Sequence, residues 1–234
     1  MADSSRSVAR AIEALEGSSA GTLHGGAAEV GAAMGFWVIT KACGHTGVGD
    51  YALFELGDLE LQCGQRLPQA KIAYKTYGRL APDRSNVILY PTSYGAQHTD
   101  TEWLIGSGRV LDPDRWFIVI PNMFTNGLST SPSNCVEACR FGNWPAITHV
   151  DNVRAQRRLL REVFAVERIA LVYGWSMGAQ QALHWGALYP DEVARICAVC
   201  GSARTSPHNL VFLEGVKDFL RAAWVLRRFR SLRM

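Results

Sequence analysis

The sequence predicts an α/β domain of three layers, with a largely parallel sheet covered by helices, and three observations carry that prediction. Four short apolar runs, at 87–90, 117–120, 169–173 and 193–199, have the length and composition of strands buried on both faces. Helix-compatible stretches separate them, and strands that alternate with helices imply right-handed crossovers and parallel neighbours. The third observation is local. Gly174-Trp175-Ser176-Met177-Gly178 stands between the run 169–173 and a helix-compatible stretch from Ala179 to Tyr189, the strand–turn–helix setting of a G-x-S-x-G elbow.

Taken in order, residues 1–49 are rich in Gly, Ala and Ser and too faintly periodic to specify a packed element. They are expected to form a poorly ordered extension with one short helix around residues 8–15. Order is expected from Tyr51. Leu53, Leu56, Leu59, Leu61 and Cys63 alternate loosely around Gly57-Asp58, which reads as a turn between two short strands. Residues 71–77 alternate better and predict the next strand. Asp151 suits the cap of a helix running to about Phe164, with Val153, Leu159, Leu160 and Val163 on its apolar face. Residues 179–188 supply the next connection, and 193–199 the last strand. The expected organisation is an extension over 1–49, one domain over 50–221 and a basic tail over 222–234.

Composition narrows the function. With 234 residues, 48% hydrophobic and 19% charged, the chain has ordinary globular composition and enough apolar residues for one core. The net charge of +3 is mild, and the basic excess lies at the end, in Arg221, Arg227, Arg228, Arg230 and Arg233. That pattern reads as a solvated end, so no nucleic-acid partner is expected. No apolar run approaches the ~20 residues that cross a bilayer, and Asp3, Glu13 and Glu16 oppose a transit peptide. The expectation is a cytoplasmic protein without a membrane partner. Cys197 and Cys200 fall on opposite faces of a strand, and Cys135 and Cys139 have no His or Cys pair at zinc spacing beside them. The cysteines are therefore expected to be buried free thiols, with no metal site and no permanently bound cofactor.

Ser176 is the candidate nucleophile. At an elbow the turn is so tight that only glycine fits on either side, which explains Gly174 and Gly178, and the serine Oγ projects above the sheet where a base can reach it.

The stretch from about Tyr51 to Arg221 resembles the homoserine O-acetyltransferase family of α/β-hydrolases. The resemblance rests on several motifs in order. They are Ala73-Tyr74-Lys75-Thr76-Tyr77-Gly78, Leu111-Asp112-Pro113-Asp114-Arg115-Trp116-Phe117, Asn122 through Gly127 to Pro132-Ser133, Asp151-Asn152-Val153-Arg154-Ala155-Gln156, and the elbow with Tyr189-Pro190. It implies an α/β-hydrolase fold and a small-molecule substrate. It also implies an acyl carrier, Ser176, that takes an acetyl group from acetyl-CoA as co-substrate and passes it to the homoserine hydroxyl in methionine synthesis. The oxyanion donors would be the backbone N–H of Met177 and the loop Thr92-Ser93-Tyr94, with Thr92 and Ser93 as candidates. Tyr94 and Trp175 would line the site. Ala179 and the loop Tyr90-Pro91-Thr92-Ser93-Tyr94 differ from the family's second glycine and His-Ala-Leu-Thr-Gly loop, and are closer to members described as hydrolases. An ester or thioester substrate is therefore an alternative.

The base is harder to find. Only 58 residues follow Ser176, and the family carries its acid, its histidine and a substrate-binding arginine later than this chain extends. The expectation is a shortened domain without the late strands and lid. Asp191 and His208 keep the order Ser-Asp-His, but a helix of about twelve residues carries the chain ~18 Å to the far end of the sheet before Asp191. His208 and Arg204 belong to 202–209, which resembles a segment leading into the lid, and both are retained as site-lining candidates. His98 follows the oxyanion strand and is a candidate substitute base. His149 and His184 read as helix-flank or helix-surface residues. Three readings follow: an acyltransferase of the homoserine acetyltransferase type, a serine esterase on the same scaffold, or a noncatalytic domain that keeps the fold's surface. In each, the shortened domain would leave an exposed strand edge for a partner or a second copy of the chain, a homo-oligomer, to cover.

Overall fold

The structure, a computed structural model, describes residues 50–231. The stretch 1–49, with the helix expected around 8–15, lies outside the described residues. Two compact units divide after Gly201.

The first unit holds a six-stranded sheet in the order β1-β2-β4-β3-β5-β6. β1 (Ala52–Glu60) and β2 (Arg66–Tyr77) form an antiparallel hairpin, and β2 continues antiparallel to β4 (Phe117–Pro121). β3 (Val87–Leu89), β5 (Leu171–Trp175) and β6 (Ile196–Val199) then join β4 in parallel. Gly57-Asp58 is not a turn. β1 runs straight through it, and the register slips between Glu55 and Gly57 and again between Gly57 and Leu59. Gly57 adopts φ 69°, so its punctuation in the sequence marks a bulge, where an unpaired residue needs a backbone only glycine adopts cheaply. The hairpin turns instead at residues 61–65.

Helix α1 (His149–Phe164) begins earlier than Asp151 suggested. Thr148 is the N-cap, and Asp151 is the third helical residue, whose carboxylate receives the Thr148 N–H at 2.8 Å. This is a capping box, in which cap and third residue satisfy each other's orphan donors. Asp151 also receives the Gln62 N–H at 2.7 Å, which ties the helix start to the β1–β2 turn. Helix α2 (Met177–Leu188) follows β5 at once.

Pleating sends alternate strand residues into two cores. Val87, Leu89, Val119 and Val172 meet Val153, Leu159 and Leu160 of α1 and Ala182 and Trp185 of α2. Ile88, Ile118, Ile120, Leu171 and Tyr173 face the other way, where Leu104 and Leu111 cover them. Of the cysteines, Cys135, Cys139 and Cys197 are buried free thiols as expected, whereas Cys63 and Cys200 are exposed. The second unit carries helix α3 (Pro207–Ser231). The sequence boundary at Arg221 lies inside this helix. No described helix is long and apolar enough to cross a membrane.

Candidate active site

β5 ends at Trp175 and α2 begins at Met177, so Ser176 alone makes the reversal. Its backbone sits at φ 54°, ψ −118°, a region that costs an L-residue roughly 1–3 kcal/mol. The turn is held on both sides. Ser176 N–H donates to Val199 O of β6 at 2.9 Å, and its carbonyl accepts from Ala179 and Gln180 as the first bonds of α2. A Cβ on Gly174 would lie 2.1 Å from Gly178 O, and one on Gly178 would lie 2.6 Å from Pro91 O. Both glycines are thus required by backbone approaching backbone, one within the elbow and one between elbow and the loop after β3. Ser176 is half-buried, and its Oγ has no hydrogen-bond partner among the described residues.

The loop after β3 separates the two expected donors. Thr92 is fully buried and gives its N–H to Pro121 O at 3.3 Å, so this N–H is committed to the end of β4 and does not face a substrate. Its Oγ1 accepts from Met123 N at 2.9 Å, which anchors the loop after β4. Ser93 is the next residue, and its N–H makes no hydrogen bond among the described residues. Ser93 Oγ accepts from Met177 N at 3.2 Å, so two of the three residues named for the oxyanion site, Ser93 and Met177, do meet, through a side chain.

A cleft of about 550 Å³ opens beside Met177, at the carboxyl ends of β3, β4 and β5. Tyr94, exposed at its rim, lines it with Met123, Asn126, Asn152 and His149. His149 is therefore a cleft residue and not merely a helix flank. Its Nε2 is 3.0 Å from Gln180 Oε1, its ring lies against His184, and burial pushes its pKa below the ordinary imidazole value. The Thr148-x-x-Asp151 capping box is the sequence signal that would have put His149 in the first turn at this end of the sheet. A larger cleft of about 1000 Å³, among Arg84, Asn86 and Arg168, touches the residues that precede β3 and β5. That is the wrong end for chemistry in this architecture, where ligands bind outside the carboxyl ends of the strands.

His98 makes no hydrogen bond to Ser176 and is engaged elsewhere. Asn122 Oδ1 accepts the His98 backbone N–H at 3.0 Å and Asn122 Nδ2 donates to Ala73 O at 3.2 Å, which fixes the orientation of the amide. The same Nδ2 is 3.2 Å from His98 Nδ1, which must then accept, leaving the proton on Nε2, 3.0 Å from Asp50 Oδ1. Both ring nitrogens are spoken for and the side chain is buried. His98 and, second, Lys75 hold the Asp50 carboxyl down at about 2. Asp50, His98 and Glu102 have ligand-type atoms within 4.8 Å of one another, but each is engaged in these pairs or, for Glu102, with the Tyr77 hydroxyl. The cluster is a hydrogen-bonded clamp on the loop. Trp175 is half-buried and packs into the second core, as a scaffold residue would. Arg204 and His208 belong to the second unit, Arg204 ahead of α3 and His208 in its first turn, and both are exposed.

Known proteins resemble this chain in sequence and fold. The family model described as the alpha/beta hydrolase fold matches residues 95–230. An ethyl acetate hydrolase from Pseudomonas veronii is 41% identical over 167 residues, 71% of this chain and 48% of that protein. A homoserine O-acetyltransferase from Thermobifida fusca is 36% identical over 184 residues, 70% and 48% of the two chains. The crystal structure of an acetylester hydrolase from Corynebacterium glutamicum superposes with a TM-score of 0.72 at 38% identity, covering 74% of this chain and 50% of that one. The chain spans about half the length of the curated relatives it matches. The family model covers more than half of the chain and the relatives are 36–41% identical, and the chain belongs to the alpha/beta hydrolase family.

Proposed function

We propose that Ser176 accepts an acyl group from a small ester and that acetyl esters are its substrate class. The observation that carries the reading is the unpartnered Ser176 Oγ, held by a strained backbone beside two backbone donors and a cleft. The relatives named above share one chemical element in their names, an acetyl group, and differ in the acceptor. In the proposed step Ser176 Oγ attacks the ester carbonyl, and the developing oxyanion takes the N–H groups of Met177 and Ser93. Ser93 Oγ now occupies the Met177 donor, so the carbonyl oxygen displaces it on binding. The proton of Ser176 Oγ passes through solvent water to the departing alkoxide as the ester C–O bond breaks, so the alcohol leaves and acyl-Ser176 remains, which water resolves in an esterase and a hydroxyl resolves in a transferase.

Homoserine O-acetyl transfer from acetyl-CoA is the second reading, favoured by the relative that is 36% identical and by the shared motifs. The exposed rim at Tyr94 supports water as acceptor.

His98, His149 and His184 are each committed to other partners, so no described histidine of the first unit contacts Ser176 Oγ. General-base catalysis contributes ~10²–10⁴-fold, so slow turnover is the expected outcome if no base reaches Ser176. The test is exposure of the full chain to p-nitrophenyl acetate, with intact-mass detection of the acyl-enzyme and Ser176→Ala as control. One acetyl group per chain, lost in the variant, is the expected result, with little acetyl-homoserine formed from acetyl-CoA. Equal acetylation of Ser176→Ala would remove the reading, and brisk acetyl-homoserine formation that needs Ser176 would favour the transferase.

A further inference from the structure

A line of buried polar groups runs from the core of the first unit to the loop after β3. The Trp185 indole N–H donates to Gln156 Oε1 at 2.8 Å, Gln156 Nε2 donates to Gln181 Oε1 at 2.6 Å, and Gln181 Nε2 donates to Thr92 O at 2.9 Å. All four residues are essentially without solvent contact. The direction of the line is forced. An indole N–H can only donate and a peptide carbonyl can only accept, so each glutamine amide between them has one orientation.

The last bond has a consequence for Ser93. The carbonyl of Thr92 and the N–H of Ser93 belong to one planar trans peptide, and within it they point in opposite directions. Pinning Thr92 O toward Gln181 in the core therefore turns the Ser93 N–H away from the core. The other bonds of Thr92, from its N–H to Pro121 O and to its Oγ1 from Met123, leave rotation of that peptide plane about ψ free. Among the described residues, the Gln181 bond is the one hydrogen bond made to that peptide plane itself. Leucines in place of the glutamines would fill the same interior without a directional demand, whereas buried amides are tolerated only when every group is satisfied.

We infer that the Trp185–Gln156–Gln181 relay positions the oxyanion site, with Gln181 setting the direction of the Ser93 N–H through the peptide it shares with Thr92. The inference rests on the reading of Ser176 and this loop as an acyl-transfer site. Gln181 and Gln156 touch no substrate and are positioning residues.

The test uses the full chain with Gln181→Met, which fills the space but cannot donate. Gln156→Glu is the second variant, keeping the acceptor for the indole and removing the donor to Gln181. Two quantities are read. The first is the rate of Ser176 acylation by p-nitrophenyl acetate as a function of ester concentration. The maximal rate is expected to fall on the order of 10²–10³-fold, the range for loss of one oxyanion donor, with the half-saturating concentration nearly unchanged. The second is the Ser93 amide, followed by NMR, whose shift and hydrogen-exchange rate report its direction whatever the activity. Both are expected to change in either folded variant. A folded Gln181→Met chain with the parent's Ser93 amide and acylation rate overturns the inference, as does a fall confined to half-saturation. If the parent itself is never acylated, the reading of Ser176 fails, and the Ser93 amide alone decides the relay.

Discussion

Replacing Gly178 with alanine tests the contact that aligns the elbow with the loop after β3. The new Cβ would lie 2.6 Å from Pro91 O, while Thr92 O at 3.5 Å and Pro91 C at 3.6 Å are already at ordinary separation. One backbone oxygen must therefore give about 0.8 Å, and such overpacking costs roughly 1–3 kcal/mol. The loop cannot yield easily, because Thr92 is bonded to Pro121, Met123 and Gln181 at once. Alanine also gains up to about 1 kcal/mol over glycine in a helix, which offsets part of the cost. The net expectation is a loss of about 0.5–2 kcal/mol in urea unfolding, seen as a lower midpoint with unchanged slope. Function should suffer more than stability. A displacement near 1 Å between nucleophile and oxyanion donors costs on the order of 10²-fold in rate, so Ser176 acylation is expected to fall by that factor. A Gly178→Ala chain that is more stable than its parent by about 1 kcal/mol and acylates at the parental rate would refute the reasoning, since helix propensity would then be the only term acting.

Three further outcomes are expected. Ser176→Gly relieves the backbone at φ 54° and should raise stability by about 1 kcal/mol in thermal melts, whereas Ser176→Ala, with its Cβ retained, should leave it nearly unchanged. Phe124 is wholly buried in the core beneath α1, and Phe124→Ala should cost ~3–5 kcal/mol in urea unfolding; a cost below ~1 kcal/mol would mean the site collapses freely. Asp50 titrates at about 2 in the folded chain against an ordinary 3.8, so its stabilisation is present above about pH 4 and lost as pH falls through 2. The melting-temperature gap between the parent and Asp50→Asn should accordingly close over that window, and a gap that persists at pH 2 would show that Asp50 acts through something other than its charge.

How much of this was legible beforehand can be judged element by element. The strands at 87–90 and 117–120 announced themselves because a parallel strand buried on both faces must be apolar throughout, and composition alone reports that. The bulge at Gly57 was misread as a turn because glycine punctuates both, and only pairing with β2 distinguishes them. The start of α1 was placed late for a related reason. Asp is a good cap and also a good third residue, and which role it takes depends on Thr148 beside it.

The site divides in the same way. Ser176 and its two glycines were evident from the sequence because the elbow is a local device, five residues in which backbone approaching backbone requires glycine on either side of the serine. The partners of Ser176 are not local. That Thr92 N–H is spent on Pro121, that Ser93 meets Met177 across 84 positions of chain, and that His98 is locked between Asp50 and Asn122 are outcomes of strand order. A histidine near a loop looks the same in sequence whether its nitrogens are free or occupied, and the occupancy is set by groups 24 and 48 residues away. The sequence by itself determined the elbow, the apolar strands and the family, because each is written in short runs whose physics is self-contained. Only the tertiary structure decided which donors, amides and imidazoles are available to Ser176, because each polar group has few bonds to give and folding assigns them to partners that no local pattern names.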